Sequence, residues 1–271
     1  MKKLISMLLA VAMLASLGCA AFADDEGVTK NKVLGWLYEG DEAAETVDDQ
    51  LANDALRLAE MMVALNNAVG LTRSDADRLE DDLAALEQVD SPDVDNDIKL
   101  ATGLVRALDA FIVFEKNVDP NGKYDVYMKK ILDEYDQNYE AADTARQQAV
   151  NALYAMVRVA ALMTEMNCLN QEMVDQVEAG LTEFGNDEAA TETVSDQLAN
   201  GSRWLCKMLG ALVKILDMTT VDGGFYAQAD EMVEDAQQSA DGEPGPKQQA
   251  ADWLYQCVHM AGVLTDLVAA A

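Results

Sequence analysis

Histidine, basic residues and long apolar runs are scarce in this chain, and each shortage excludes a class of function. The 271 residues contain one His, and 19 Lys or Arg against 49 Asp or Glu, for a formal net charge of −30. One His excludes multi-histidine zinc and iron sites. Without a basic face the chain does not bind nucleic acid through phosphates, and an anionic membrane would repel it. Because 50% of residues are hydrophobic, the acidity does not indicate disorder.

Recognisable catalytic motifs are also absent. Neither a phosphate-binding G-x-x-x-x-G-K loop nor a dinucleotide-binding G-x-G-x-x-G turn occurs. Carboxylate pairs are too common in so acidic a chain for one pair to be nominated as a general acid and base. The three tryptophans, Trp36, Trp204 and Trp253, are few for a sugar-binding groove. The sequence therefore nominates no catalytic residue, no cofactor and no metal ligand.

The first 23 residues have the pattern of a secretory signal peptide. Lys2 and Lys3 precede an apolar stretch over residues 4–17, and Ala21-Phe22-Ala23 supplies small residues for cleavage before Asp24. The apolar stretch is shorter than the ~20 residues that span a membrane. A lipoprotein signal at Cys19 is the alternative, but Ser16 stands where that signal has Leu. We expect bacterial-type export with cleavage near Ala23, and a protein that is secreted or at the cell-envelope exterior, without a membrane span.

The rest of the chain repeats itself. Residues 45–53 (ETVDDQLAN) recur as residues 192–200 (ETVSDQLAN), a shift of 147. Residues 146–154 match residues 247–255 with a shift of 101. The first shift divided by three and the second divided by two each give a period near 50 residues. This common period predicts a helical repeat.

Each repeat is predicted to be a long helix followed by a short one. In the first, apolar residues at spacings of three and four mark one helical face, Gly70 ends the helix, and Ser74 begins the next. Long helices are predicted near 93–117, 143–167, 192–218 and 247–269, and short helices near 124–139, 170–184 and 225–239. Turns are predicted at 119–122, 185–186, 222–224 and 241–246. The apolar face consists of Val47, Leu51, Ala55, Leu58, Met62, Leu65 and Val69.

These elements predict an all-α protein, either an α-solenoid-like array or a helical bundle. Residues 45–271 form the helical-repeat domain. Residues 24–44 form an N-terminal segment, interpreted as a short cap helix over the first repeat.

Three local features have two interpretations each. Cys206 and Cys257 lie 51 residues apart at similar heights on consecutive long helices, so they either form a disulfide or pack as small hydrophobic residues. The loop from Asn117 to Asp125 resembles part of a calcium-binding loop, but Met128 replaces the bidentate Glu, and turn chemistry explains the same residues. His259 is either catalytic or part of a polar helix face.

We expect a non-catalytic scaffold that binds a protein or a cationic ligand. Repeats provide extended surfaces, and strong negative charge accelerates the capture of cationic partners. The alternative is an exported, glycosidase-like hydrolase that uses two carboxylates in a helical cup. The sequence does not indicate the oligomeric state.

Overall fold

The computed structural model describes residues 46–70, 72–218, 224–241 and 245–270, and all secondary structure in these ranges is helical. The all-α prediction is confirmed. The predicted signal peptide (1–23) and N-terminal segment (24–44) lie outside the described residues. The described helices are α1 (Val47–Val69), α2 (Arg73–Val89), α3 (Asn96–Val118), α4 (Asp125–Glu140), α5 (Ala145–Asn167), α6 (Gln171–Ala190), α7 (Val194–Asp217), α8 (Phe225–Asp241) and α9 (Pro246–Ala270).

Long and short helices alternate, and the starts of the long helices are evenly spaced. The N-cap residues of α1, α3, α5 and α7 are Thr46, Asp95, Thr144 and Thr193, each 49 residues after the one before. Each side chain accepts a hydrogen bond from a backbone N–H in the first helical turn. At Thr46 and Thr193 the aspartate three residues later hydrogen-bonds back to the cap, which completes a capping box. The recurring nine-residue sequence is therefore the start of a long helix.

The five long helices of the described ranges form a closed ring. In turn, α1 packs against α3, α3 against α5, α5 against α7, and α7 against α9, and α9 packs back against α1. The short helices surround this ring, and each contacts the long helix that follows it in sequence. Because the last long helix meets the first, the described part of the chain is a bundle, and an open solenoid is not confirmed.

The core lies among the long helices, as the apolar periodicity predicts. On α1, Leu51, Ala55, Leu58, Met62 and Leu65 are at most 1% exposed. The other long helices contribute matching buried side chains, which join one continuous apolar cluster. Its largest fully buried members include Trp253, Phe111, Leu104, Leu108 and Leu153.

Two helix boundaries differ from the prediction. Helix α2 is capped by Thr72 rather than Ser74, because the Thr72 hydroxyl oxygen accepts a hydrogen bond from the Asp75 N–H at 3.3 Å. Helix α6 continues through the predicted turn at 185–186 to Ala190. Its last turns are fixed by Asp187, whose carboxylate accepts hydrogen bonds from Arg203 at 2.6 Å and from the Trp204 indole at 2.9 Å. These contacts offset the cost of about 1 kcal/mol for a glycine inside a helix.

Candidate functional site

A cleft of about 180 Å³ lies on the outside of the ring, over α5. Its floor is one face of α5, with residues at helical spacings of three and four, and its main wall is α4. Helices α6 and α7 each contribute one side chain. The lining residues are Gln147, Val150, Asn151, Tyr154, Ala155 and Arg158 from α5, Ile131, Glu134, Tyr135 and Asn138 from α4, Glu188 from α6 and Gln197 from α7.

Arg158 is the charged centre of this cleft. Its Nη2 lies 2.9 Å from Glu188 Oε2 and 3.4 Å from Glu134 Oε1, and its Nη1 donates to the Tyr154 carbonyl oxygen at 3.3 Å. The guanidinium carbon also lies 5.3 Å from the centre of the Phe184 ring. The two glutamates belong to α4 and α6, so one guanidinium links both of these helices to α5.

Tyr154 places a buried hydroxyl group at the cleft. Its ring meets Phe184 edge-on with centroids 5.1 Å apart. Burial raises the pKa of Tyr154, and the side chains of Asn200 and Thr191 partly oppose this shift. Among the described residues, neither the Tyr154 hydroxyl nor the Asn200 Nδ2 has a hydrogen-bond partner of good geometry. Buried polar atoms of this kind are usually satisfied by water or a ligand.

Amide side chains supply the remaining polar groups. Asn151 Nδ2 donates to the Asn138 carbonyl oxygen at 2.8 Å, which leaves Asn151 Oδ1 as an acceptor. Gln147 and Gln197 approach each other at 3.5 Å across the α5–α7 interface. The cleft therefore combines hydrogen-bonding amides with two carboxylates and one guanidinium.

None of these cleft residues is nominated by the sequence. One signal was present: Arg158 is the only charged residue in the apolar stretch 149–163. Its contacts come from α4 and α6, which no spacing within α5 reveals.

His259 lies on α9 and is not among the cleft residues. Its ring packs against that of Tyr255 with centroids 4.3 Å apart. The residue therefore belongs to a different part of the ring from the cleft.

The loop that resembles a calcium site is a turn between α3 and α4. Gly122 has φ of 61°, a left-handed conformation that favours glycine, and Asp119 Oδ2 accepts a hydrogen bond from the Tyr124 N–H at 2.8 Å. Within the described ranges, no group of three or more His, Cys, Asp or Glu side chains is placed to hold a metal ion.

Cys206 and Cys257 are free and fully buried, and the disulfide is not formed. Cys257 Sγ lies 3.4 Å from the Ser202 carbonyl oxygen, to which it donates. Burial raises the pKa of the Cys257 thiol, and the neighbouring Cys206 adds to the shift. Cys168 is also free and partly exposed. The packing interpretation therefore describes the buried pair.

A second cluster of charges lies where the long helices begin. Arg146 contacts Asp48 at 2.8 Å through Nη2 and Asp97 at 2.8 Å through Nε, and Lys247 Nζ contacts Asp48 at 2.8 Å. Asp48, Asp97 and Arg146 are each 49 residues apart and come from α1, α3 and α5. The Lys247 hydrogen bond, opposed by burial and aided by Arg146, lowers the pKa of Asp48. These contacts show that the long helices start at the same end of the ring.

None of the described helices is long and apolar enough to cross a membrane. Comparison with known proteins finds no matching family model, no matching curated protein and no matching solved structure.

Proposed function

We propose that the protein is an exported, non-catalytic scaffold that holds a cationic side chain or a small cationic ligand in the cleft over α5. The observation that carries the proposal is the cleft itself, in which Glu134 and Glu188 share one guanidinium. This set has one more negative than positive charge, and each carboxylate retains acceptor positions that Arg158 does not use.

The size of the cleft limits what enters it. At about 180 Å³ it is somewhat larger than the cavity of about 150 Å³ that holds one benzene molecule. This space is enough for the end of one lysine or arginine side chain. A protein partner would therefore insert a single side chain while the acidic surface around the cleft attracts it.

The proposal is tested by the fluorescence anisotropy of a labelled lysine-containing peptide, with its glutamine-substituted counterpart as the neutral probe. We expect the lysine peptide to bind more tightly, and Glu188→Gln and Glu134→Gln each to weaken binding about tenfold, equivalent to about 1.4 kcal/mol. Glu178→Gln is the matched control, because Glu178 is exposed on α6 and does not line the cleft. Equal loss in all three variants would indicate diffuse attraction, and unchanged affinity in the cleft variants would disprove the cleft as the site.

The hydrolase alternative has one observation in its favour, since two carboxylates converge in the cleft. Both carboxylates, however, approach the same guanidinium nitrogen, so each is engaged in an ion pair with Arg158. Hydrolysis of a glycan panel by the wild type, abolished by Glu134→Gln or Glu188→Gln, would favour the hydrolase over the scaffold.

Export is part of the proposal and depends on residues 1–23. Lys2, Lys3 and the apolar stretch 4–17 support it. N-terminal sequencing of protein recovered outside the cytoplasm should begin at Asp24. A chain that stays in the cytoplasm and begins at Met1 would disprove export.

We also propose that each long helix and its following short helix are copies of one unit of about 49 residues. Support comes from the spacing of Thr46, Asp95, Thr144 and Thr193 as N-caps, and from the spacing of Asp48, Asp97 and Arg146. The matching stretches 45–53 and 192–200 contain the capping boxes of Thr46 and Thr193, so the sequence match coincides with the starts of two long helices.

A further inference from the structure

Four of the five long helices are contacted by the short helix that directly precedes them. Helix α2 packs on α3, α4 on α5, α6 on α7, and α8 on α9. Helix α1 is the exception among the described helices, because the residues that precede it are outside the described ranges. On the outside of the ring, no described helix packs against both α9 and α1. We refer to this surface between α9 and α1 as the α9/α1 groove.

On the α1 side, the groove contains residues that correspond in position to the α3 residues that bind the outer helix α2. On α3, Arg106 contacts Asp82 of α2 at 3.0 Å, and Asp109 contacts Arg78 of α2 at 3.1 Å. Arg57 and Glu60 precede Arg106 and Asp109 by 49 residues. They therefore occupy the corresponding places on α1, facing the position that a preceding helix would take.

On the α9 side, the correspondence is with α5. Tyr154 and Arg158 of α5 both contact α6, through Phe184 and Glu188 respectively. Tyr255 and His259 follow them by 101 residues, the shift that relates α5 to α9 in sequence. Both sides of the groove thus have residues at positions that contact an outer helix in other units.

We infer that residues 24–45 of the same chain occupy the α9/α1 groove as the fifth outer element of the ring. The inference rests on the proposed repeat and is independent of what the cleft over α5 binds. Chain order supports it, because the residues directly before each of the other four described long helices form an outer helix that contacts it.

Length and composition also fit this segment. Residues 24–45 number 22, and the described short helices have 16 to 20 residues. The segment has one apolar cluster, Val33, Leu34, Trp36, Leu37 and Tyr38. Burying such a cluster against α1 and α9 provides the hydrophobic gain that ordering the segment requires.

Disulfide trapping in the full chain tests the inference. Single cysteines at positions 33–38, such as Leu37→Cys, are each combined with Glu60→Cys in a Cys19→Ser, Cys168→Ser background. Glu60 is exposed, so its replacement should leave the core intact. With oxidised glutathione we expect at least one pair to form a disulfide within a single chain, identified by peptide mass spectrometry. The matched control replaces Glu60→Cys with Lys129→Cys on α4, which should give no intrachain disulfide.

Other occupants of the groove give different products. Disulfides found only between two chains would show that a second copy occupies the groove, and would overturn the inference. No intrachain disulfide at any of the six positions would also overturn it, provided that circular dichroism shows each variant folded. As a second measurement, the tryptophan fluorescence of the Trp36→Phe variant is subtracted from that of the wild type. The difference, which is the Trp36 emission, should be blue-shifted and protected from quenching by acrylamide. A fully quenchable Trp36 signal would contradict docking. If docking holds but the cleft binds no cation, only the proposed function fails.

Discussion

Single side chains determine how the outer helices are attached to the ring. Arg158 links α4, α5 and α6, Asp187 links α6 to α7, and Arg106 links α3 to α2. These contacts are partly exposed, so each contributes less than a buried pair would. Their effect is mainly positional, because each fixes a short helix with few apolar contacts in one place on the long helices.

Arg158→Met should lower the free energy of unfolding by about 1–2 kcal/mol. The substitution leaves Glu134 and Glu188 facing each other without the guanidinium between them. Urea denaturation followed by circular dichroism measures the change. Lys129→Met is the control, since the exposed Lys129–Asp133 pair on α4 should contribute only about 0.3–0.5 kcal/mol. Equal effects of the two substitutions would contradict the linking role of Arg158.

Glu115 should make stability depend on pH near neutrality. Burial, with added repulsion from Asp119 and Asp125, raises the pKa of Glu115 from 4.5 to about 7. Between pH 4.5 and about pH 7 the Glu115 carboxyl keeps its proton in the folded protein but has released it in the unfolded chain. The free energy of unfolding therefore falls as pH rises through this range. The loss is on the order of 3 kcal/mol.

Glu115→Gln tests this dependence, because glutamine does not titrate. The variant should be more stable than the wild type at pH 8 and should lose stability less steeply between pH 5 and pH 7. Urea denaturation at several pH values measures both slopes. Parallel slopes in the two proteins would show that Glu115 is not the titrating group.

At the scale of the helix, most boundaries followed from the sequence. Apolar spacing and turn residues located the long and short helices because each helix buries one face, and Gly70 ends α1 with φ of 86°. The end of α6 could not be predicted, because Asp187 is fixed by Arg203 and Trp204 from the next helix. The cleft was missed for the same reason, since its residues come from four helices.

The N-caps of the long helices should each stabilise the fold. Thr46→Ala and Thr193→Ala remove an acceptor for the first-turn N–H groups and break a capping box, so each should cost about 1 kcal/mol. Thr182→Ala is the matched control, because Thr182 lies inside α6 and only returns a hydrogen bond to the Glu178 carbonyl oxygen. Thermal unfolding of the three variants should separate the caps from the control.

Gly103 sets the distance between α1 and α3. A Cβ at this position would lie 2.5 Å from the Ala55 carbonyl carbon and 2.7 Å from the Leu56 nitrogen, both backbone atoms. Gly103→Ala should therefore force the helices apart and cost about 2–3 kcal/mol. Gly185→Ala in α6, where no atom lies within 4 Å of the added Cβ, should instead stabilise by up to about 1 kcal/mol. Urea denaturation of both variants should give opposite signs.

At the scale of the whole molecule, closure of the ring is the property that the predicted repeat did not specify. A period near 50 residues indicates which helices are neighbours in sequence, and both an open array and a closed bundle satisfy it. Closure depends on the small rotation between successive long helices, and it brings side chains of α9 and α1 into contact. The contact of Lys247 with Asp48 is one of these, since it joins the last long helix to the first.

A double-mutant cycle on Asp48 and Lys247 should measure this link. Asp48→Asn, Lys247→Met and the double variant should give a coupling energy of about 0.5–1 kcal/mol in low salt, reduced in 0.5 M salt because both side chains are partly exposed. Because the pKa of Asp48 is lowered, its carboxylate is charged at neutral pH and the coupling should be present there. The coupling should be lost when the pH falls below this lowered pKa and the carboxylate is protonated. The same cycle on Lys129 and Asp133, both within α4, should give a coupling energy no larger than the roughly 0.2–0.5 kcal/mol of an exposed pair on a helix surface. Coupling between Asp48 and Lys247 in solution requires α9 to meet α1, so its absence at neutral pH and low salt would contradict closure at this contact.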